Sequence, residues 1–336
     1  MADTQRNFYI DYIKGIASLS VVLLHCMPNY YIVSPLWIGQ AVPLFLFITG
    51  YLTYSSFQRG KLLKNYYSKD SFAKVIDRIF KPFFFVLVIQ VILYYFLKND
   101  FSIKGMILSG GIGPGSYYPW IYLQAWFFLP LIIKIIDRVS LHYSFIIFLI
   151  ICLILEILSS FLHIPEVLYR LAFYRYIFLL YLACIVKKFD IKITFLVVSL
   201  AIIGAAYSLF VAYTDINLEP FFYFSGWRGH TWISYFYTVL VFLLLKRIYF
   251  LKPNNLISNF FILLGKYSYE IFLCQMFVFS FITLNNFSFE NNIFYQNFLF
   301  IISTTSLSII PVIIYKKYLE NLFTMNLKKL YLSLKN

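Results

Sequence analysis

Apolar runs of membrane-spanning length follow one another from Phe8 almost to the end of this chain, and that repetition limits the fold more than any motif does. Of the 336 residues, 61% are hydrophobic and 12% are charged. A soluble domain carries about 25% charged residues. Soluble cores also come in amphipathic patterns, whereas these runs leave no polar face to meet water. The expectation is an all-α integral membrane protein.

Ten segments come near the ~20 residues needed to cross a bilayer. They fall at about 8–28, 36–57, 79–97, 117–136, 143–163, 169–186, 193–213, 230–248, 259–284 and 293–315. With the N-terminus cytoplasmic, this layout puts 23 Lys and Arg residues on the inner side and 5 on the outer side. Such a bias is what the positive-inside rule asks for, and a missed span would scramble it. The reading is therefore about ten transmembrane helices with the N- and C-termini cytoplasmic. Residues 1–336 form a single ten-span domain, with a short basic tail from about Tyr318 that can lie on the inner surface. The net charge of +14 then belongs to cytoplasmic loops rather than to nucleic-acid binding. The first apolar run lacks a small-residue cleavage site and reads as a span, not a signal peptide. The four cysteines show no metal or redox spacing.

Polar groups inside spans are costly, and they single out candidate functional residues. Lys14 and His25 lie eleven residues apart in the first segment, close to three helical turns and about 16 Å along one face. His25 titrates near neutral pH and suits proton transfer. Asp11 is three residues before Lys14 and can pair with it; anchoring at the headgroups suits both residues as well. Arg78 and Lys81, before Pro82, put cations where the third segment leaves the inner side, and such groups recognise phosphates. Topology alone would also make that loop basic. GIGPGSYYPWIYLQAWFFLP, Gly111 to Pro130, is a turn followed by Tyr117, Tyr118, Trp120 and Gln124, a set that could hold a sugar ring or form an interfacial aromatic belt. Glu156 and Arg175 are opposite charges in neighbouring spans, explained by each other or by a polar cavity. Glu270, in the ninth segment, can reach Lys266. No catalytic Ser-His-Asp motif, metal cluster, Walker loop or dinucleotide fingerprint is present.

The N-terminal block IDYIKGIASLSVVLLH resembles the first span of the membrane-bound acyltransferase-3 family, which acylates bacterial cell-surface polysaccharides. That span typically reads hydrophobic-Asp-hydrophobic-hydrophobic-Arg-Gly, with a His eleven residues after the Arg. The chain matches at Asp11, Gly15 and His25 and departs at Lys14, where the family has Arg. VPLFLFITGYL, with Thr49 for the usual Ser, RIFKPF, GPGSYY, FYRYIF and GKYSYEIFLCQ resemble later blocks; many members have His at the position of Gln275.

What the resemblance implies is transfer of a short acyl group, commonly acetyl from acetyl-CoA, to a hydroxyl of a polysaccharide or its lipid-linked precursor. It implies a multi-pass enzyme of the bacterial inner membrane, with acyl-CoA and a glycan as substrates and no permanently bound cofactor or metal. The family's essential Arg and His carry over to Lys14 and His25. On this reading His25 and Asp11 are catalytic. Lys14, Arg78 and Lys81 receive the donor, and Tyr117, Tyr118, Gln124, Glu156 and Arg175 receive the acceptor. Export or flipping of a lipid-linked glycan is the alternative.

Overall fold

The computed structural model describes residues 7–26, 34–60, 63–97, 102–108, 110–113, 115–214, 216, 218–219, 221–223, 227, 229–284 and 294–316. The tail from Tyr318 lies outside them. Helices dominate and no strand occurs among the described residues. In chain order they are α1 (Phe8–Cys26), α2 (Ala41–Gln58), α3 (Leu63–Tyr66), α4 (Lys69–Val75), α5 (Lys81–Leu97), α6 (Ile103–Leu108), α7 (Tyr118–Arg138) and α8 (Leu141–Phe161). There follow α9 (Glu166–Leu171), α10 (Ile177–Lys188), α11 (Phe195–Tyr213), α12 (Tyr235–Leu251), α13 (Leu256–Lys266), α14 (Ser268–Leu284) and α15 (Phe294–Ile314).

Every one of the ten expected segments falls on helical structure. Among the described residues, six helical runs are long and apolar enough to cross a membrane: 8–26, 34–58, 69–96, 118–138, 141–161 and 195–213. The pair α13 and α14 makes a seventh if its 72° bend is counted as one broken span. Residues 300–314 are apolar but shorter. The chain is thus a multi-pass helical membrane protein, and six or seven segments among its described residues are long enough to cross, fewer than the ten expected.

Two of the shortfalls have local causes. The segment expected at 169–186 is not one helix. Ala172 is extended and ends α9, a tight 3-10 turn covers Phe173–Tyr176, and only then does α10 begin. The segment at 259–284 turns sharply at Tyr267, between α13 and α14. Conversely, a π-helical stretch, Ile76–Phe80, fuses α4 and α5 into one run, so much of the expected basic loop at 58–78 is helical.

The helices sort by burial. On α10 every residue from Phe178 to Val186 is buried, and α1 and α2 are nearly as enclosed. By contrast α5, α8 and α11 present large apolar side chains outward, among them Phe85, Tyr95, Phe96, Ile154, Leu196 and Ile202. In lipid such faces need no cover, and helix association rests on close packing and internal hydrogen bonds instead. Polar residues accordingly point inward. Thr238 donates to Gln40 Oε1 at 2.7 Å, and Gln90 Nε2 donates to Ser280 Oγ at 2.7 Å. Tyr9 and Tyr51 join hydroxyls at 3.2 Å, linking the start of α1 to the later half of α2, so the two helices run antiparallel.

The tightest packing is α1 on α13. A methyl group at Gly15 would strike the carbonyl of Phe261, and one at Gly265 would strike the carbonyl of Asp11. Both obstacles are backbone and cannot swing aside. Glu270 at the start of α14 pairs with Lys316 at 3.3 Å, not with Lys266, which tilts over the ring of Tyr267. Gly265→Ala is therefore expected to cost about 3 kcal/mol or more through overpacking. The measurement is thermal unfolding in detergent followed by size-exclusion chromatography. Gly105→Ala, where an added methyl meets only ordinary contacts, should melt like the parent protein.

Candidate functional site

Helical spacing builds the site. On α1, Lys14, Ser18, Val21 and His25 recur at intervals of four, three and four residues and share one face. On α2, Val42, Phe45, Thr49 and Thr53 do the same, as do Ser268, Phe272 and Gln275 on α14. All of them line one cavity of about 690 Å³. Because α1 and α2 are antiparallel, the cavity has two ends. One end has Lys14 with Thr53, Ile79, Tyr122, Ser268 and Tyr269; the other has His25 with Gly39, Tyr117, Arg170, Trp227 and His230. Eleven residues of helix put Lys14 and His25 about 16 Å apart along it. Between the ends, Tyr118 stands edge-on to Phe45 at 6.0 Å and to Phe272 at 5.9 Å, so three helices meet at an aromatic waist.

The wall carries Lys14 and Arg170 and, among the described residues, no carboxylate. Its field favours an anionic ligand. The His25 side chain is open to the cavity, stands edge-on to Phe279 at 5.7 Å, and makes no hydrogen bond with a described residue.

The other residues singled out in the sequence divide. Tyr117 and Tyr118 line the cavity with Lys14 and His25. Asp11 is buried one turn before Lys14 but off the wall. Arg78 is exposed on the π-helical stretch beside the lining residue Ile79, and Lys81 is exposed and paired with Asp77 at 2.6 Å. Gln124 lies outside the cavity lining. Its amide donates to the Leu171 carbonyl at 2.8 Å and accepts from the Phe173 amide at 3.3 Å, which ties the broken α9–α10 connection to α7.

Glu156 and Arg175 also stand behind the wall, and they do not touch. Tyr169 sits between them. Its hydroxyl is 2.9 and 2.8 Å from the two Glu156 oxygens, and its ring lies 4.9 Å beneath the Arg175 guanidinium. The Tyr223 amide also reaches Glu156, at 3.4 Å. Arg175 is further enclosed by the rings of Tyr176 at 5.0 Å and Trp227 at 4.6 Å, so cation–π contacts replace the expected ion pair.

From Arg175 a hydrogen-bond chain runs back to the cavity. Arg175 Nη2 donates to the Tyr176 hydroxyl at 3.2 Å. That hydroxyl is then free to donate to His230 Nδ1, also at 3.2 Å, leaving His230 Nε2–H to donate to the Gly39 carbonyl at 3.2 Å. Read this way, His230 is the neutral Nε2–H tautomer. Sequence reasoning missed His230, Trp227 and Arg170. The available signal was the run of Trp, Gly, His and Thr around 227–231, polar and small within an apolar stretch.

Tyr169→Phe keeps the ring under Arg175 and strips both hydroxyl contacts from the buried Glu156. A loss of about 2 kcal/mol is expected, read as a lower unfolding temperature. Adding Glu156→Gln to Tyr169→Phe should restore part of it, because the uncompensated charge is gone.

Neither the curated proteins nor the solved structures compared with the chain include a match. A family model described as an acyltransferase domain matches residues 7–316, nearly the whole chain and all the residues of the cavity wall. The chain belongs to the acyltransferase-3 family.

Proposed function

We propose that this membrane acyltransferase moves a short acyl group, acetyl from acetyl-CoA, to a hydroxyl of a cell-surface polysaccharide or its lipid-linked precursor. The membrane is the bacterial inner membrane, crossed ten times with both termini in the cytoplasm. The observation that carries the reading is the two-ended cavity, with a cation at one end of α1 and an open imidazole at the other. Glycan export is not favoured in a family described by acyl transfer.

The Lys14 end faces the cytoplasm and takes the donor. Its cation, with Arg78 and Lys81 nearby in the basic approach, attracts the phosphates of acyl-CoA. Lys offers a point charge where Arg would offer a bidentate fork, so phosphate or carboxylate contact there is less directional. Asp11, one turn away, belongs with Lys14 rather than with the reacting atoms. The thioester extends past the aromatic waist toward His25. The acceptor enters at the other end, against Tyr117 and Tyr118, while Gln124, Glu156 and Arg175 hold the scaffold behind it.

In the reaction the acceptor hydroxyl oxygen attacks the thioester carbon and His25 takes the hydroxyl proton. The carbon–sulfur bond then breaks, and the thiolate leaves with the proton from the imidazolium. Proton transfer by a positioned base contributes about 10²- to 10⁴-fold.

His25→Ala is therefore expected to lower transfer from acetyl-CoA by at least about 10²-fold, with normal expression and melting temperature. The assay is purified protein in nanodiscs, backed by mass spectrometry of the surface glycan from cells carrying each variant. Full acylation by His25→Ala would rule out the base. In the same assay Lys14→Ala raises KM for the donor, and Lys14→Arg keeps or improves it.

A further inference from the structure

Gln275 has no assigned task, and its surroundings give it one. It lies on α14, is 1% exposed, and forms part of the cavity wall. Its Nε2 is buried without a partner, and no described residue hydrogen-bonds the carboxamide. Other polar residues on this helix have partners: Cys274 the Leu307 carbonyl, Ser280 the Met276 carbonyl, and Tyr269 the Ile79 carbonyl. A buried amide left unpaired is costly in an apolar setting, and a leucine would fill the same space without that cost. Such a group is retained economically when a ligand completes it.

Position identifies the ligand atom. Gln275 is one helical turn before Phe279, whose ring touches His25. It is therefore on the imidazole side of the aromatic waist formed by Phe45, Tyr118 and Phe272. The carboxamide torsion is soft and can turn its N–H toward the cavity. A neutral donor fits a site where charge is absent in the ground state and appears during reaction.

We propose that the Gln275 N–H hydrogen-bonds the acyl carbonyl oxygen and stabilises the negative charge it gains when the hydroxyl attacks. This rests on the acyl-transfer reading above. As the new carbon–oxygen bond forms, the carbonyl π electron pair moves onto the carbonyl oxygen, and the Gln275 N–H donates a hydrogen bond to that oxygen. The hydroxyl proton passes to His25. When the carbonyl re-forms, the electron pair leaves with sulfur, and the thiolate takes the proton from His25.

The test uses the full chain in nanodiscs with acetyl-CoA as donor and the purified, de-acetylated surface glycan of the source cells as acceptor. Gln275→Leu is expected to lower kcat about 10²-fold, to change KM for acetyl-CoA less than threefold, and to leave the melting temperature unchanged or higher. Gln275→Glu, which keeps the size but removes the donor, should lose as much. Gln275→His, which returns an N–H, should recover at least tenfold over the Leu variant. The assignment is overturned if Gln275→Leu keeps kcat within twofold, if Gln275→His is no better than Leu, or if only KM for the glycan rises. That last result would place the amide on the acceptor. Parent protein with no acyl transfer would instead overturn the reaction itself, an outcome distinct from an active parent and an equally active Gln275→Leu.

Discussion

The backbone-to-backbone contact between α1 and α13 is the constraint from which the site follows. Gly15 and Gly265 let two helices approach until each lies against a carbonyl of the other. In lipid no hydrophobic effect drives helices together, so small residues that allow close contact decide which helices pair. Once α13 is fixed on one face of α1, the 72° turn at Tyr267 sends α14 away at an angle. The space this leaves on the adjoining face is where Lys14, Ser18, Val21 and His25 meet Ser268, Phe272 and Gln275. Packing on one side of α1 thus creates emptiness on the other.

The opposite wall depends on a different device, a polar scaffold stiffened by rings. From Ala172 to Tyr176 the chain gives up regular α-helix, and its freed backbone groups are met by Gln124, which binds the Leu171 carbonyl and the Phe173 amide, and by Tyr235, whose hydroxyl donates to the Arg175 carbonyl at 3.1 Å. Irregular backbone at membrane depth is tolerated only where protein satisfies it. Arg170 reaches the cavity from the turn before this break, and Trp227 and His230 reach it from the segment before α12.

What could be read from the sequence follows this division. Properties carried within one helix were legible. The eleven-residue interval put Lys14 and His25 on one face, and apolar length placed the ten expected segments on helical structure without showing the breaks inside two of them. Properties requiring contact between distant segments were not. The partner of Glu270 is Lys316, 46 positions on rather than four back. Glu156 and Arg175 were matched by charge, but Tyr169, an aromatic in an apolar run, takes the carboxylate through its hydroxyl and the guanidinium through its face. Neither Ala172 nor Tyr267 stands next to a proline, the strongest local sign of a helix break. Asp11, Arg78 and Lys81 lie off the cavity wall, which their local sequence does not show.

A cavity along α1 also has an electrical meaning. A lipid core is ~30 Å thick, and a void reaching some 16 Å along one helix leaves a thin layer of protein as insulator. The membrane potential, worth about 2.3 kcal/mol per charge at 100 mV, is then concentrated across that layer instead of the whole bilayer. The waist of Phe45, Tyr118 and Phe272 is the natural place for it. Those rings narrow the cavity between its Lys14 end and its His25 end, so a potential along it falls most steeply there.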